Sequence, residues 1–459
     1  MINLKYFTEK AALNKDSKTG LLLVELEGQK KTVKKAIKRQ KLNLSLVIDV
    51  SGSMAENIGR REQLVRDGYA DSVFGSSLDT SRIMAMINHR IPQFNSPYGG
   101  VYTNKMELVK KAAIKAVSEL KEGDYVSLVT FNNAAHIIQD AQKVTEESKK
   151  SIITKIMGLR AGGGTDLHTG WVHGATEVVK NVKEKYINRV LVLTDGETVS
   201  GVRDPKQIAA DVGALYKTGV TTSTFGVGDT FNEKLLQAMS EQGGGNFYYI
   251  KDESEFDQMF AEEFTGMLNL AASEVEMVLK LNEGFKLNEQ MNSYVEIDGK
   301  YNLSNILADK KISVLFKLDT TIKNGVSRVN IGDITVKFKD ENGNKVEQTI
   351  TVEVDVLSAK KWEKLDFVQE VKIQETLLII AKNKLDASNA IASGNIEGAK
   401  NILRGATATL SASTFSDDRI GTSLNSLNTT LEQADTMSNQ EFSKTMHYES
   451  YKTRTGKGL

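Results

Sequence analysis

Three short stretches of this sequence carry oxygen-bearing side chains at spacings that suit a cation. In "DVSGSM", Asp49, Ser51 and Ser53 stand at alternate positions directly after the aliphatic run "LNLSLVI". At that spacing one carboxylate and two hydroxyls can face a single point. "VLTDG" puts Asp195 just past a second aliphatic run, and "GGGTDL" puts Thr165 after three glycines, whose missing Cβ atoms let the backbone approach closely. Oxygen ligands with few full charges suit a hard divalent cation: Mg²⁺ first, with Mn²⁺ or Ca²⁺ as alternatives. Asp166, next to Thr165, has two compatible roles: supporting the site by hydrogen bonding, or capping a helix that begins at Leu167. Asn132 and Asn133 belong at the rim rather than among the ligands.

Other chemistry is poorly supplied. None of the 459 residues is cysteine, which excludes thiolate catalysis, thiolate metal sites and disulfides and suits a cytoplasmic address. "DVSGS" is not the G-x-S-x-G of a nucleophile elbow, and "GLRAGGGT" lacks the Gly-Lys-Ser/Thr of a phosphate loop. His168 and His173 are five apart, a spacing that does not stack two ligands on one helical face. Lys plus Arg number 59 and so do Asp plus Glu, so net charge gives no support for nucleic acid or an anionic membrane as main partner. The basic run "KKTVKKAIKRQK" reads as a solvated linker. No apolar stretch approaches the roughly 18 residues of a membrane span, and the first residues lack the apolar core of a secretion signal.

The elements that must position these residues follow from periodicity. Across 42–268, buried-strand patterns such as "LNLSLVIDV", "DYVSLVTF" and "INRVLVLTDG" alternate with helical ones. In "KMELVKKAAIKAVSELK", Met106, Val109, Ala113 and Val117 share one face. Such alternation predicts a doubly wound, mostly parallel sheet, with ligands beyond the carboxyl ends of its strands. Residues 269–358 switch to period-two alternation, with "ENGN" as a hairpin turn, and predict an antiparallel β-sandwich. The segment 1–41 contributes one strand to it, "GLLLVELEGQ", so that the α/β domain is inserted. Residues 359–445 read as a helical hairpin or bundle, and 446–459 as a flexible basic tail.

"LVIDVSGSM", "GGGTDL" and "VLTDG" together resemble the metal-ion-dependent adhesion site of von Willebrand factor A domains. The resemblance implies a Rossmann-like fold, direct ligation by Ser51, Ser53 and sometimes Thr165, water-mediated contacts from Asp49 and Asp195, and one coordination position left for a partner's carboxylate. The overall layout is similar to bacterial members grouped with the inter-alpha-trypsin-inhibitor heavy chains. The function it implies is non-enzymatic: a metal-dependent adaptor or scaffold binding an acidic residue of a protein partner, for instance in an ATPase or signalling complex. Alternatives are a metal-dependent hydrolase of phosphate esters and an RNA-binding A-domain protein.

One departure from the family stands out. The first helix begins near residue 105, which leaves an insertion at 55–103 beside the site. Its Phe74, Met84, Phe94, Tyr98 and Tyr102 are expected to face the partner, since long loops in compact domains are often functional.

Overall fold

The computed structural model describes residues 2–29, 40–58, 103–251, 253–303, 305–413 and 417–456. The basic run at 30–39 and the five aromatic and methionine residues expected to face a partner lie outside the described residues.

Strands β1 (Ile2–Thr8), β2 (Ala12–Asn14) and β3 (Thr19–Gly28) open the chain, and β4 (Lys41–Asp49) enters the α/β domain. There follow α1 (Lys105–Glu119), β5 (Tyr125–Phe131), β6 (Ala135–Lys143), α2 (Glu146–Met157), α3 (Leu167–Val179), β7 (Tyr186–Thr194), α4 (Pro205–Tyr216), β8 (Val220–Val227), α5 (Glu233–Gln242), β9 (Gly244–Ile250) and α6 (Glu253–Leu268). The six-stranded sheet runs β9-β8-β7-β4-β5-β6, parallel throughout except for β6, which pairs antiparallel with β5. Its central strands are buried on both faces, as parallel strands under helices must be. Along β4, Leu44, Leu46 and Ile48 join the core that holds Val109, Ala113 and Val117 of α1, whereas Val47 joins the opposite core with Leu167 and Trp171 of α3.

The sandwich continues with β10 (Leu270–Leu281), β11 (Phe285–Gln290), β12 (Lys311–Thr320), β13 (Arg328–Asp340) and β14 (Lys345–Leu357). One sheet is β1-β3-β12-β11; β10, β13, β14 and β2 form most of the other. The N-terminal segment thus contributes three strands, where one was expected, and the α/β domain sits between β3 and β10. Strand β3 has no polar face in its middle for a physical reason. Leu22, Val24 and Leu26 pair with Phe316, Val314 and Ile312 and face the sandwich interior. Leu21 and Leu23 point the other way, onto Val371 and Leu378 of a long helix.

That helix is α7 (Gln369–Ala392), followed by α8 (Ile396–Ser411), α9 (Asp418–Gln433) and α10 (Asn439–Thr455). The structure corrects the expectation of a loose tail at 446–459: α10 runs through most of it and is one of the more buried helices. Phe442 and Met446 pack into the helical core. Tyr448 and Tyr451, three apart and so on one face, meet the sheet edge, with both rings within 5.7 Å of the Phe247 ring. The backbone N–H of Phe247 donates to Tyr451 Oη at 3.0 Å. Basic composition misled because Lys452 lies over the Tyr448 ring and Arg454 is buried. Among the described residues, no helix is long and apolar enough to cross a membrane.

Glu370 anchors α7 to the sandwich. It receives a two-pronged hydrogen bond from Arg419, both distances 2.8 Å, and an ion pair from Lys311 at 2.9 Å. Chiefly through Arg419, and against the effect of burial, its carboxyl is held down to about 2 from 4.5. A carboxyl depressed on folding stabilises fully above its unfolded value and loses that contribution as pH falls toward its folded one. Glu370→Gln is therefore expected to cost about 1–2 kcal/mol at pH 7, after discounting for solvent screening. The difference from the native chain should shrink between pH 4.5 and 2, followed by urea denaturation. In the same assay Tyr451→Ala should cost about 3–5 kcal/mol; a loose tail would show no change.

Candidate functional site

Register brings the first three loop origins level. Ile48 of β4 lies beside Leu193 of β7, and Asp49 beside Phe131 of β5. Asp49 therefore leaves the sheet next to Thr194, one residue before Asp195. Both Asp49 oxygens are held: Oδ1 accepts from the Ser51 N–H at 2.7 Å and Oδ2 from the Thr194 hydroxyl. After Asp49 the chain turns into a short 3-10 helix, Gly52–Ala55, which brings Ser53 back over the strand ends. Ser53 Oγ donates to Asp195 Oδ1 at 2.8 Å and lies 3.1 Å from Ser51 Oγ.

Thr165 arrives on the third loop, which is stitched to the first. Gly52 N donates to Gly163 O at 2.9 Å, and Gly162 N to Val50 O at 2.8 Å. Gly163 has φ +90°, and a Cβ there would meet Asn133 Oδ1 at 2.5 Å. That position needs glycine on both counts, whereas Gly162 has open space around it. The rim asparagines act as ties: Asn133 Oδ1 accepts from Gly164 N at 2.7 Å, and Asn132 Nδ2 donates to Gly162 O at 2.9 Å. Thr165 O in turn accepts from Val199 N and Ser200 N, which joins its loop to the one carrying Asp195. Asp166 caps α3, accepting from Thr169 N and Oγ1, and its carboxylate lies against Gly201 of the loop that carries Asp195. His168 is spent on Asp211, 2.9 Å away.

Three of the five candidate ligands border Gly196, which directly follows Asp195. A methyl group at its Cα would lie 3.3 Å from Thr165 Oγ1, 3.6 Å from Ser53 Oγ and 3.8 Å from Asp49 Oδ2. With Asp195 Oδ1 on Ser53 Oγ, oxygens from three loops thus lie about one small space. Asp49 and Asp195 are fully buried, and Ser51 nearly so. Burial pushes the Asp49 carboxyl up to about 6; hydrogen bonds from Thr194 and Ser51 pull it back, and the Asp195 charge adds to the push. Asp49, out of water and beside a second carboxylate, is a group whose charged form a divalent cation would stabilise. The donor set fits such an ion.

Three residues here have roles that the motifs did not assign. Thr194 and Thr230 hold Asp49 and the Asp195 carbonyl through their hydroxyls. Lys105 is buried, with Nζ 2.8 Å from Asp195 Oδ2 and 2.9 Å from Glu56 Oε2. One signal could have found it. Lys105 is the first residue of α1, after the Asn104 cap, and a cation at a helix N-terminus opposes the macrodipole unless something anionic holds it.

Comparison with known proteins bears on the fold and the family. The family model of the von Willebrand factor type A domain matches residues 99–262, so the Asp49–Ser53 turn precedes the match. An uncharacterized protein of Synechocystis is 26% identical over 329 residues, 68% of this chain and 76% of that one. Escherichia coli YfbK is 30% identical over 223 residues, 47% of this chain and 38% of YfbK. Pig inter-alpha-trypsin inhibitor heavy chain H1 is 23% identical over 225 residues, 47% of this chain but 24% of its own. This chain therefore spans well under half of the latter two relatives. Among solved structures, a von Willebrand factor type A protein from Catenulispora acidiphila shares the fold with a TM-score of 0.66 at 15% identity, over 93% of this chain and 89% of that one. An ArnB paralog from Sulfolobus acidocaldarius aligns over 100% and 99% of the two chains with a TM-score of 0.56 at 16% identity. The chain carries a von Willebrand factor type A domain, a Rossmann-like α/β unit joined to an additional β-sheet unit and C-terminal helices.

Proposed function

We propose that the cleft at Gly196 holds a divalent cation, Mg²⁺ or in its place Mn²⁺ or Ca²⁺, and that the bound ion captures an Asp or Glu of a partner protein. The observation that carries this reading is the convergence of Asp49, Ser51, Ser53, Thr165 and Asp195 from three loops on one oxygen-lined space. The hydroxyls of Ser51, Ser53 and Thr165 hold the ion, and Asp49 and Asp195 supply the balancing charge. What the ion supplies is a Lewis-acidic centre for an incoming carboxylate.

The role that follows is recognition. Von Willebrand factor A domains commonly serve as protein-interaction modules, and an adaptor within an ATPase or signalling complex fits a neutral chain with several packed units. The absence of cysteine suits a reducing compartment, and we assign the module to the cytoplasm.

Isothermal titration with Mn²⁺ tests the ion. The native chain is expected to bind one equivalent; Ser53→Ala should weaken binding by at least about tenfold. Gly196→Ala, whose methyl enters the cleft, should weaken it without lowering the melting temperature of the metal-free chain. Absence of heat from the native chain would remove the metal reading. Recognition is tested by capture from native lysate in Mg²⁺ against chelator. Partners should be lost in chelator and with Asp195→Ala; the same partners in every arm would mean that binding does not run through the ion. Phosphate-ester turnover abolished by Asp49→Ala would instead revive the hydrolase.

A further inference from the structure

Among the described residues, Lys105 is a cation buried against the candidate ligands. Its side chain is 4% exposed, and its Nζ touches the outer oxygen of Asp195, Oδ2, while Ser53 occupies the inner oxygen, Oδ1. The position is built. Asn104 caps the helix that carries Lys105, and the Lys105 N–H donates to Glu56 O at 3.0 Å. The paired residues Asn57 with Asn104 and Ile58 with Thr103 close the stem of the intervening segment beside it. Its stem runs past Gly228, where a Cβ would lie 2.9 Å from Lys105 Cε. Glu56, the second carboxylate on Nζ, is largely exposed.

From this arrangement we infer that Lys105 is a resident cation that sets the charge of the site, restraining metal affinity and leaving the loaded site net positive for a carboxylate ligand. This rests on the metal-dependent reading of the cleft. The charge count is simple. Without Lys105 a divalent ion exactly offsets the two buried carboxylates, and an arriving carboxylate meets a neutral site. With Lys105 the buried groups of the loaded site sum to one positive charge, which the exposed Glu56 offsets only in part, and an anion is drawn to it. Two consequences have opposite sign. Lys105 repels the metal across Asp195, so it weakens metal binding. In the metal-free chain it compensates Asp195, so it stabilises the fold in that state. Lys105 is a positioning residue as well: tied to Oδ2, Asp195 turns only Oδ1 toward Ser53.

The test uses the full chain and Mn²⁺ alone as probe, read by isothermal titration and by the melting temperature with and without the ion. Lys105→Met is expected to melt lower when metal-free, to gain more from Mn²⁺ than the native chain, and to bind it about tenfold or more tightly. A purely structural lysine would lower both melting temperatures together and leave the affinity unchanged, and that result overturns the inference, as does weaker binding. Should Lys105→Met not fold without metal, Glu56→Gln carries the test. With that anion removed, Lys105 is less compensated, and Mn²⁺ binding should weaken a few-fold at low salt, a difference from the native chain that shrinks as salt screens the exposed position; unchanged affinity overturns the inference. The native chain separates the two readings. If it binds no Mn²⁺, the metal site itself fails. If it binds and the variants do not shift as stated, only the role of Lys105 fails.

Discussion

Two carboxylates sealed away from water at the ends of adjacent parallel strands are the constraint around which this domain is arranged. Asp49 and Asp195 are both fully buried. An ionised carboxylate in that position is costly unless hydrogen bonds, a cation or both meet it. Around Asp49 the requirement is met by Thr194 and the Ser51 backbone, and around Asp195 by Ser53 and Lys105. Each of these partners lies on a different loop or element from the group it serves, apart from Ser51. Satisfying the charges therefore fixes the loops relative to one another, and the backbone ties from Val50 and Gly52 to Gly162 and Gly163 follow the same path.

The rest of the chain braces this end of the sheet. Thr230, in the loop after β8, holds the Asp195 carbonyl. The same loop is gripped from outside by α10, through Ser438 to Asp229 and Lys444 to the Phe231 carbonyl and Glu233. The opposite face of α10 packs into the helical bundle, and α7 of that bundle covers strand β3 of the sandwich. A recognition surface made of loops is thus carried on elements whose own contacts extend through all three structural units, which is how a loop site acquires defined geometry.

Much of this was legible in the sequence because its signals are local. Aliphatic runs followed by Asp-x-Ser-x-Ser or Thr-Asp-Gly mark strand ends whatever surrounds them, and Pro205 after the Asp204 cap marks a helix start in the same way. Strand β1, by contrast, was missed. "INLKYFT" is half exposed along most of its length and gains its strand character from pairing with β3, a contact between residues about twenty apart in sequence. The tail was misread for a related reason. Its tyrosines and basic residues look solvated when composition alone is considered, and only the presence of Phe247 and Tyr249 on the edge strand gives Tyr448 and Tyr451 an apolar surface to cover.

The sequence by itself determined which residues end the central strands, the oxygen-rich chemistry they carry and the doubly wound sheet that aims them at one place. Those features depend on periodicity and on side-chain type, both of which are written along the chain. Tertiary structure alone decided that Lys105, separated from Ser53 by the long insertion, lies against Asp195, and that α10 reaches back to the sheet edge. Those are pairings across long sequence separation, chosen by where buried charge and apolar surface come to rest once the chain has folded; a local pattern can mark Lys105 as out of place at a helix start but cannot name its partner.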